Sequence, residues 1–112
     1  MTTATVAVLA QAMTEAELQT KILRMCRDLG LRAWHCHIPQ GSRKGLPDLI
    51  IVGPGGVLWR ELKSEKGRVS DAQTDWLTDL TSAGQDAAVW RPMDLVTGVV
   101  ARELAALAGV AS

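Results

Sequence analysis

The stretch that decides the fold is residues 47–63, which read Pro-Asp-Leu-Ile-Ile-Val-Gly-Pro-Gly-Gly-Val-Leu-Trp-Arg-Glu-Leu-Lys. Residues 48–52 form a short, nearly all-apolar run, which is typical of a strand covered on both faces. The glycines and proline of residues 53–56 are a turn signal, and residues 57–63 have the composition of a return strand. The stretch therefore predicts a β-hairpin.

The length of the turn sets the register of this hairpin. If residues 53–56 form the loop, Val52 pairs with Val57, and counting outward places Asp48 opposite Glu61. Directly opposed side chains lie about 5 Å apart at Cβ. Lys63 shares a face with Glu61 because side chains alternate along a strand. The hairpin is therefore expected to bring two carboxylates and one ammonium group together.

Two carboxylates this close repel each other unless a positive group lies between them. A hard divalent cation such as Mg²⁺ takes oxygen ligands and keeps several waters, so it fits the pair. Lys63 could orient or deprotonate a water, or hold a phosphate oxygen, which suits metal-assisted phosphodiester hydrolysis. In the alternative interpretation, Asp48 caps a turn and Glu61 and Lys63 form a solvated pair. Acidic side chains at the end of an apolar strand favour the metal site over this alternative, because a buried charge needs a partner.

Periodicity and turn signals predict the elements around the hairpin. They are, in chain order, a flexible lead-in over residues 1–13, an amphipathic helix over 15–29, a strand over 31–38, a basic loop over 39–46, a helix from 70 to near 84, a strand over 87–90 and a helix from about 93 to 107. Layer rules then give one small sheet with helices on its faces, in a single domain over residues 14–112. The four tryptophans fall on these elements and are predicted to pack in the core rather than to serve as base-stacking platforms.

Composition limits the class of protein. The 112 residues balance 12 Lys and Arg against 12 Asp and Glu and are 47% hydrophobic, which excludes intrinsic disorder. No apolar run approaches the roughly 20 residues that span a bilayer. The apolar residues 4–12 follow no Lys or Arg, so they make a poor signal peptide. Two cysteines without CxxC spacing exclude a disulfide scaffold, so we expect a reduced, cytoplasmic protein.

Charge is distributed unevenly along the chain. Residues 31–70 hold seven Lys and Arg against three Asp and Glu, whereas the rest of the chain holds five against nine. A basic middle could steer an anion to one face, although an ordinary mixed surface would give the same count.

Pro47-Asp48 followed by Glu61-Leu62-Lys63 resembles the PD-(D/E)xK nuclease signature. Together with residues 45–49, residues 70–73 and Trp76-Leu77, it resembles the VRR-NUC branch over roughly residues 14–92. The resemblance implies an α/β, restriction-endonuclease-like αβββαβ core with a small mixed sheet flanked by helices, here followed by a C-terminal helix. The element order read from the residues agrees with that core.

The same resemblance implies an activity. It is that of a Mg²⁺-dependent endonuclease, with Mn²⁺ able to substitute, acting on branched or structured DNA such as Holliday junctions or flaps. Stand-alone relatives of this kind act as homodimers in replication, recombination or repair. The alternative is a non-catalytic nuclease-fold module that binds nucleic acid or takes part in an assembly. The intact Asp48, Glu61 and Lys63 argue against that alternative.

Carried over residue by residue, the resemblance implies that Asp48, Glu61 and the main-chain carbonyl of Leu62 bind the metal. Lys63 would serve the attacking water. Gln73 matches a glutamine that points toward the active site, although it also fits a capping box with Ser70.

The resemblance also places an acid on the first helix, where Glu15 and Glu17 both qualify. Glu15 shares the inward stripe with Leu18 and Ile22, so we assign it. For either glutamate, the alternative is a first-turn acid favoured by the helix dipole. The expected DNA contacts are polar and basic residues of the loops beside the motif, with ordinary surface charge as the alternative; they are Ser42, Arg43, Lys44, Lys66 and Arg68.

Overall fold

The computed structural model describes residues 2–36 and 44–110. The helices and strands of this part of the chain are α1 (Thr3–Ala12), α2 (Glu15–Asp28), β1 (Arg32–His35), β2 (Leu49–Gly53), β3 (Gly56–Leu62), α3 (Asp71–Ser82), β4 (Asp86–Trp90), α4 (Pro92–Val96) and α5 (Val99–Ala108). From α2 to β4 the order is the αβββαβ core that the sequence predicts.

The four strands form one mixed sheet in the order β1-β2-β3-β4. β1, β2 and β3 are antiparallel, and Val52 pairs with Val57 as predicted. β4 runs parallel to β3. A parallel pair needs a crossover connection, and α3 provides it.

The core lies on one face of the sheet, where apolar residues of β2 and β3 meet helices α2 and α5. Alternate strand residues point to this face, so the buried Leu49, Ile51, Leu58 and Leu62 contact the apolar stripes of the two helices. Glu61 points to the opposite face, against which α3 lies. The sheet thereby separates the core from the two carboxylates of Asp48 and Glu61, called the acidic pair below.

Two terminal segments differ from the sequence predictions. The expected lead-in contains the helix α1, in which Thr2 accepts a hydrogen bond from the Thr5 amide and Ala10 is buried. Periodicity gives no signal there because Ala and Thr make no clear apolar stripe. The single helix expected from about residue 93 is two helices, because Gly98 adopts a φ of 90° between them.

The prediction that all four tryptophans pack in the core is also wrong. Trp90 is 1% exposed, but Trp34 is 59% exposed and Trp76 is 36% exposed. Aromatic side chains on a strand or helix do not by themselves identify the covered face.

A charged network extends from Arg60, buried beside Trp90, to two acids at the surface. Arg60 is 2% exposed, and its Nη2 atom lies 2.9 Å from Asp86 Oδ1 and 2.8 Å from Glu103 Oε1. Its guanidinium lies 4.9 Å from the centre of the Trp90 ring, and the indole Nε1 donates to Glu103 Oε1 at 3.1 Å. Arg60 was counted in the basic middle of the chain, but it is unavailable to an anion at the surface.

Candidate active site

The hairpin brings Asp48 and Glu61 together, as the register predicts. Asp48 immediately precedes β2, and Glu61 follows the Leu49–Arg60 pair on β3. Asp48 Oδ2 accepts a hydrogen bond of 2.7 Å from the amide of Leu62. The main chain of β3 thus fixes one carboxylate beside the other.

Glu61 is a buried acid whose two oxygens have different surroundings. Oε2 accepts a hydrogen bond from Gln73 Nε2 at 3.0 Å and lies 3.5 Å from Lys63 Nζ. Oε1 is buried and has no hydrogen-bond partner. Burial, followed by repulsion from Asp48, raises the pKa of Glu61 to about 8. A cation beside Oε1 would relieve both effects.

The donor set fits a hard divalent ion. Asp48, Glu61 and the carbonyl of Leu62 would supply oxygen ligands. The Oε1 atom of Glu61, which has no hydrogen-bond partner, is free to bind the cation. Among residues 2–36 and 44–110, no group of three or more His, Cys, Asp or Glu side chains is arranged to hold a metal. Two carboxylates completed by main-chain oxygen and water suit Mg²⁺ better than zinc.

Lys63 connects the acidic pair to helix α2. Its Nζ atom lies 3.5 Å from Glu61 Oε2 and 4.0 Å from Glu15 Oε1, and its side chain is 15% exposed. Glu17 instead closes a capping box, accepting hydrogen bonds from the amide and hydroxyl of Thr14. Of the two candidate acids on this helix, Glu15 is therefore the one that lies beside the site.

Gln73 fulfils both interpretations of its position. Its Oε1 accepts a hydrogen bond from the main-chain amide of Ser70 at 2.8 Å, and the main-chain amide of Gln73 donates to Ser70 Oγ at 3.1 Å. These two bonds complete the predicted capping box. Its Nε2 still reaches Glu61. The first turn of α3 and the acidic pair are therefore joined by one side chain.

The predicted DNA contacts divide into two groups. Ser42 and Arg43 lie outside the described residues. Lys44, Lys66 and Arg68 are exposed, and Arg68 lies 3.9 Å from the exposed Asp71, which leaves it largely solvated.

Arg91 positions the loop that carries Lys66, and sequence reasoning did not identify it. Its Nη1 atom donates to the carbonyl oxygens of Ser64 at 2.8 Å, Glu65 at 3.2 Å and Gly67 at 2.8 Å. A charged donor shared among three carbonyls restrains the main chain just after Lys63. Only the position of Arg91 at the end of a strand hints at this role.

Gly45 has a structural requirement that its place in the motif did not show. Its φ is +89°, and a Cβ there would lie 2.3 Å from the carbonyl oxygen of Ala72. Only glycine allows the segment before Asp48 to cross so close to the first turn of α3.

The hairpin, the acidic pair and the helix that contacts it define a nuclease-type fold. The chain belongs to the VRR-NUC family, because the model of the VRR-NUC domain matches residues 8–94. The resemblance read over residues 14–92 is thus confirmed, and the match also includes part of α1. Family membership indicates a nuclease domain with DNA as its substrate.

Solved structures agree with this assignment. One, titled "VRR_NUC domain protein", is 25% identical, covers 89% of this chain and 97% of its own, and has a TM-score of 0.62. A second, titled "VRR_NUC domain", is 20% identical, covers 80% and 97% respectively, and superposes with a TM-score of 0.65, which shows the shared fold. No match was found among the curated proteins. No helix in the described part of the chain is long and apolar enough to cross a membrane.

Proposed function

We propose that this protein is a Mg²⁺-dependent endonuclease that hydrolyses phosphodiester bonds of branched or otherwise structured DNA, and that Mn²⁺ can replace Mg²⁺. The observation that carries the proposal is the buried Oε1 atom of Glu61, which has no hydrogen-bond partner and belongs to a carboxylate that Asp48 repels. A fold does not keep such a repulsive pair for stability alone, since burying a charge that Lys63 offsets only in part is costly. It is the arrangement expected of a cation-binding catalytic site.

Asp48, Glu61 and the Leu62 carbonyl would hold the ion. The bound ion would supply a nucleophile near neutral pH and neutralise charge developing on the phosphate. The Leu62 amide keeps Asp48 in position through its 2.7 Å hydrogen bond, so this carboxylate needs little rearrangement to bind. Gln73 orients Glu61 through Oε2, which leaves Oε1 for the ion.

Lys63 is placed to act on the reacting groups. Its ammonium lies within 4.0 Å of both Glu61 and Glu15, so two acids hold it at the edge of the acidic pair. From there it would orient the attacking water or hold a non-bridging phosphate oxygen. Glu15 would set the position of Lys63 or contact the site through water. Lys44, Lys66 and Arg68, with Ser42 and Arg43, would contact flanking phosphates.

The family resemblance further supports a homodimer, because two sites across a two-fold axis suit a symmetric four-way junction. Both cysteines are buried and free, which supports a reducing, cytoplasmic setting. In that setting the enzyme would serve replication, recombination or repair.

The test is a cleavage panel of supercoiled, flapped and four-way DNA with Mg²⁺, Mn²⁺ or EDTA. We expect cleavage of at least one structured substrate with either metal and none with EDTA. Asp48→Asn and Glu61→Gln should each lower the rate by at least about 100-fold, and Lys63→Met by a similar factor. Asp75→Asn, which changes an exposed acid of α3, is the matched control and should cleave normally.

Cleavage that persists in Asp48→Asn or Glu61→Gln would refute the assignment of the site. Tight DNA binding by the wild type with no cleavage of any substrate would favour the non-catalytic module instead. Light scattering of the same preparations measures the number of protomers, and a monomer at all concentrations would refute the proposed dimer.

A further inference from the structure

Trp34 is an exposed aromatic residue on the edge strand, on the same face of the sheet as the acidic pair. It is 59% exposed, and it pairs with Ile50 on β2. Residues two apart on a strand share a face, so Ile50 and Asp48 point the same way. Trp34 therefore stands beside the site, on the side away from the core.

The spacing between Trp34 and the acidic pair is short. The amide of Cys36 donates to the carbonyl of Asp48 at 2.7 Å, so β1 stays paired with the chain as far as Asp48. Trp34 is the diagonal neighbour of Asp48 across the two strands, which corresponds to about 7–8 Å between Cα atoms. Stacked nucleotides rise about 3.4 Å per step along one strand of a duplex, so this distance corresponds to about two stacked nucleotides.

The surroundings of Trp34 favour an anionic, aromatic ligand over an apolar one. Arg32 precedes it by two residues on the same face and is exposed. Val52, the cross-strand partner of Arg32, is 43% exposed. Arg32 and Trp34 thus place a cation and an indole next to the proposed site. This combination of groups binds single-stranded nucleic acid.

We propose that Trp34 stacks on an unpaired nucleobase within about two nucleotides of the scissile phosphate, while Arg32 contacts the neighbouring backbone. This inference rests on the proposed nuclease site. It makes Trp34 a specificity-determining residue, because a base inside an intact duplex is not free to stack on an indole. The enzyme would then prefer DNA whose strand is unpaired next to the cleaved bond.

The test uses metal-free protein in EDTA, so that binding is measured without cleavage. The probes are a fluorescently labelled 12-nucleotide thymidine strand, the same strand with one abasic position moved stepwise along it, and a 12-base-pair duplex. Trp34→Ala should weaken binding of the single strand by about 5–100-fold, as expected for loss of base–aromatic stacking. Trp34→Phe should restore most of that loss, and duplex binding should change less than twofold.

Two further comparisons separate stacking from a general structural effect. An abasic position at the stacked nucleotide should weaken binding to the wild type but add nothing to Trp34→Ala. Trp76→Ala is the matched control, since Trp76 is also exposed but lies on α3, in a groove whose charged residues are Asp75, Asp79 and Lys44 and are therefore net acidic. It should bind both probes normally.

Equal losses on the single strand and the duplex would overturn the inference, as would additive effects of Trp34→Ala and the abasic position. A change from dimer to monomer in Trp34→Ala with unchanged DNA affinity would assign this surface to a second copy of the chain instead. These outcomes are distinct from failure of the proposed function. A protein that cleaves nothing could still show Trp34-dependent stacking, and an active nuclease could lack it.

Discussion

Replacing Glu61 by glutamine should stabilise the metal-free protein while removing its activity. The pKa of Glu61 is raised from 4.5 to about 8, so folding at neutral pH requires this side chain to take up a proton or to keep a repelled charge. Each pKa unit corresponds to about 1.36 kcal/mol, which makes the penalty at pH 7.5 about 4 kcal/mol. Glutamine carries no charge, still accepts from Gln73 and can donate to Asp48.

We expect the free energy of unfolding of the Glu61→Gln variant to exceed that of the wild type by about 2–4 kcal/mol at pH 7.5. The lower end applies if relaxation of the surrounding side chains already relieves part of the penalty in the wild type. For a domain of this size the gain corresponds to a rise in Tm of roughly 8–16 °C. The size of this stabilisation depends on pH. Because the folded-state pKa lies above the unfolded value, wild-type stability falls as pH rises from about 4.5 to about 8. The variant lacks this loss.

The assay is thermal and urea unfolding of both proteins in EDTA at pH 5 and pH 8. The difference between variant and wild type should be small at pH 5 and largest at pH 8. Asp75→Asn controls for the loss of one negative charge and should shift stability by less than about 0.5 kcal/mol at either pH. A stability difference between Glu61→Gln and wild type that is the same at both pH values would refute the reasoning.

Three further predictions concern the metal, the backbone and the loop charges. Millimolar Mg²⁺ or Mn²⁺ should raise the wild-type Tm more at pH 8 than at pH 6, because the ion binds the deprotonated Glu61. The same ions should leave the Tm of Glu61→Gln unchanged, and an equal shift in both proteins would show that the ion binds elsewhere. Gly45→Ala should lower the free energy of unfolding by more than about 3 kcal/mol, whereas Gly84→Ala, with a φ of +85° but open space around it, should cost only about 1–2 kcal/mol. Urea titrations giving equal costs would show that contact with α3 is unimportant. Lys66→Ala should reduce the slope of log affinity against log salt by about 1 without altering Tm, as measured by DNA titrations at several salt concentrations; an unchanged slope would exclude a phosphate contact.

The hairpin could be read from the sequence because its information is local. An apolar run, a glycine-rich turn and a return strand set the register, and the register alone places Asp48 beside Glu61. The N-terminal capping box of α3 was equally predictable, since Ser70 and Gln73 are three residues apart. The link from Gln73 to Glu61 was anticipated only through the family resemblance, which implies a glutamine pointing toward the active site.

Other features depend on long-range packing, which one sequence does not reveal. Arg60 lies on a strand beside the motif and was counted as part of a basic surface, but its partners Asp86 and Glu103 come from β4 and α5. Trp34 was expected in the core because strands often carry buried aromatic residues. Its exposure depends on which face the helices leave open, and that is decided by the whole sheet.

Consecutive residues of β3 carry opposite charges to opposite faces of the sheet, and this alternation has a consequence for folding. If β3 slid by one position against β2, Arg60 would enter the carboxylate site and Glu61 would be pushed among leucines without a partner. The shift would bury the Glu61 carboxylate without a partner and would remove Arg60 from Asp86 and Glu103, at a cost of several kcal/mol. The charges of Glu61 and Arg60 therefore also favour a single strand register, so a variant neutralised at both positions should lose uniqueness of strand alignment as well as the proposed activity.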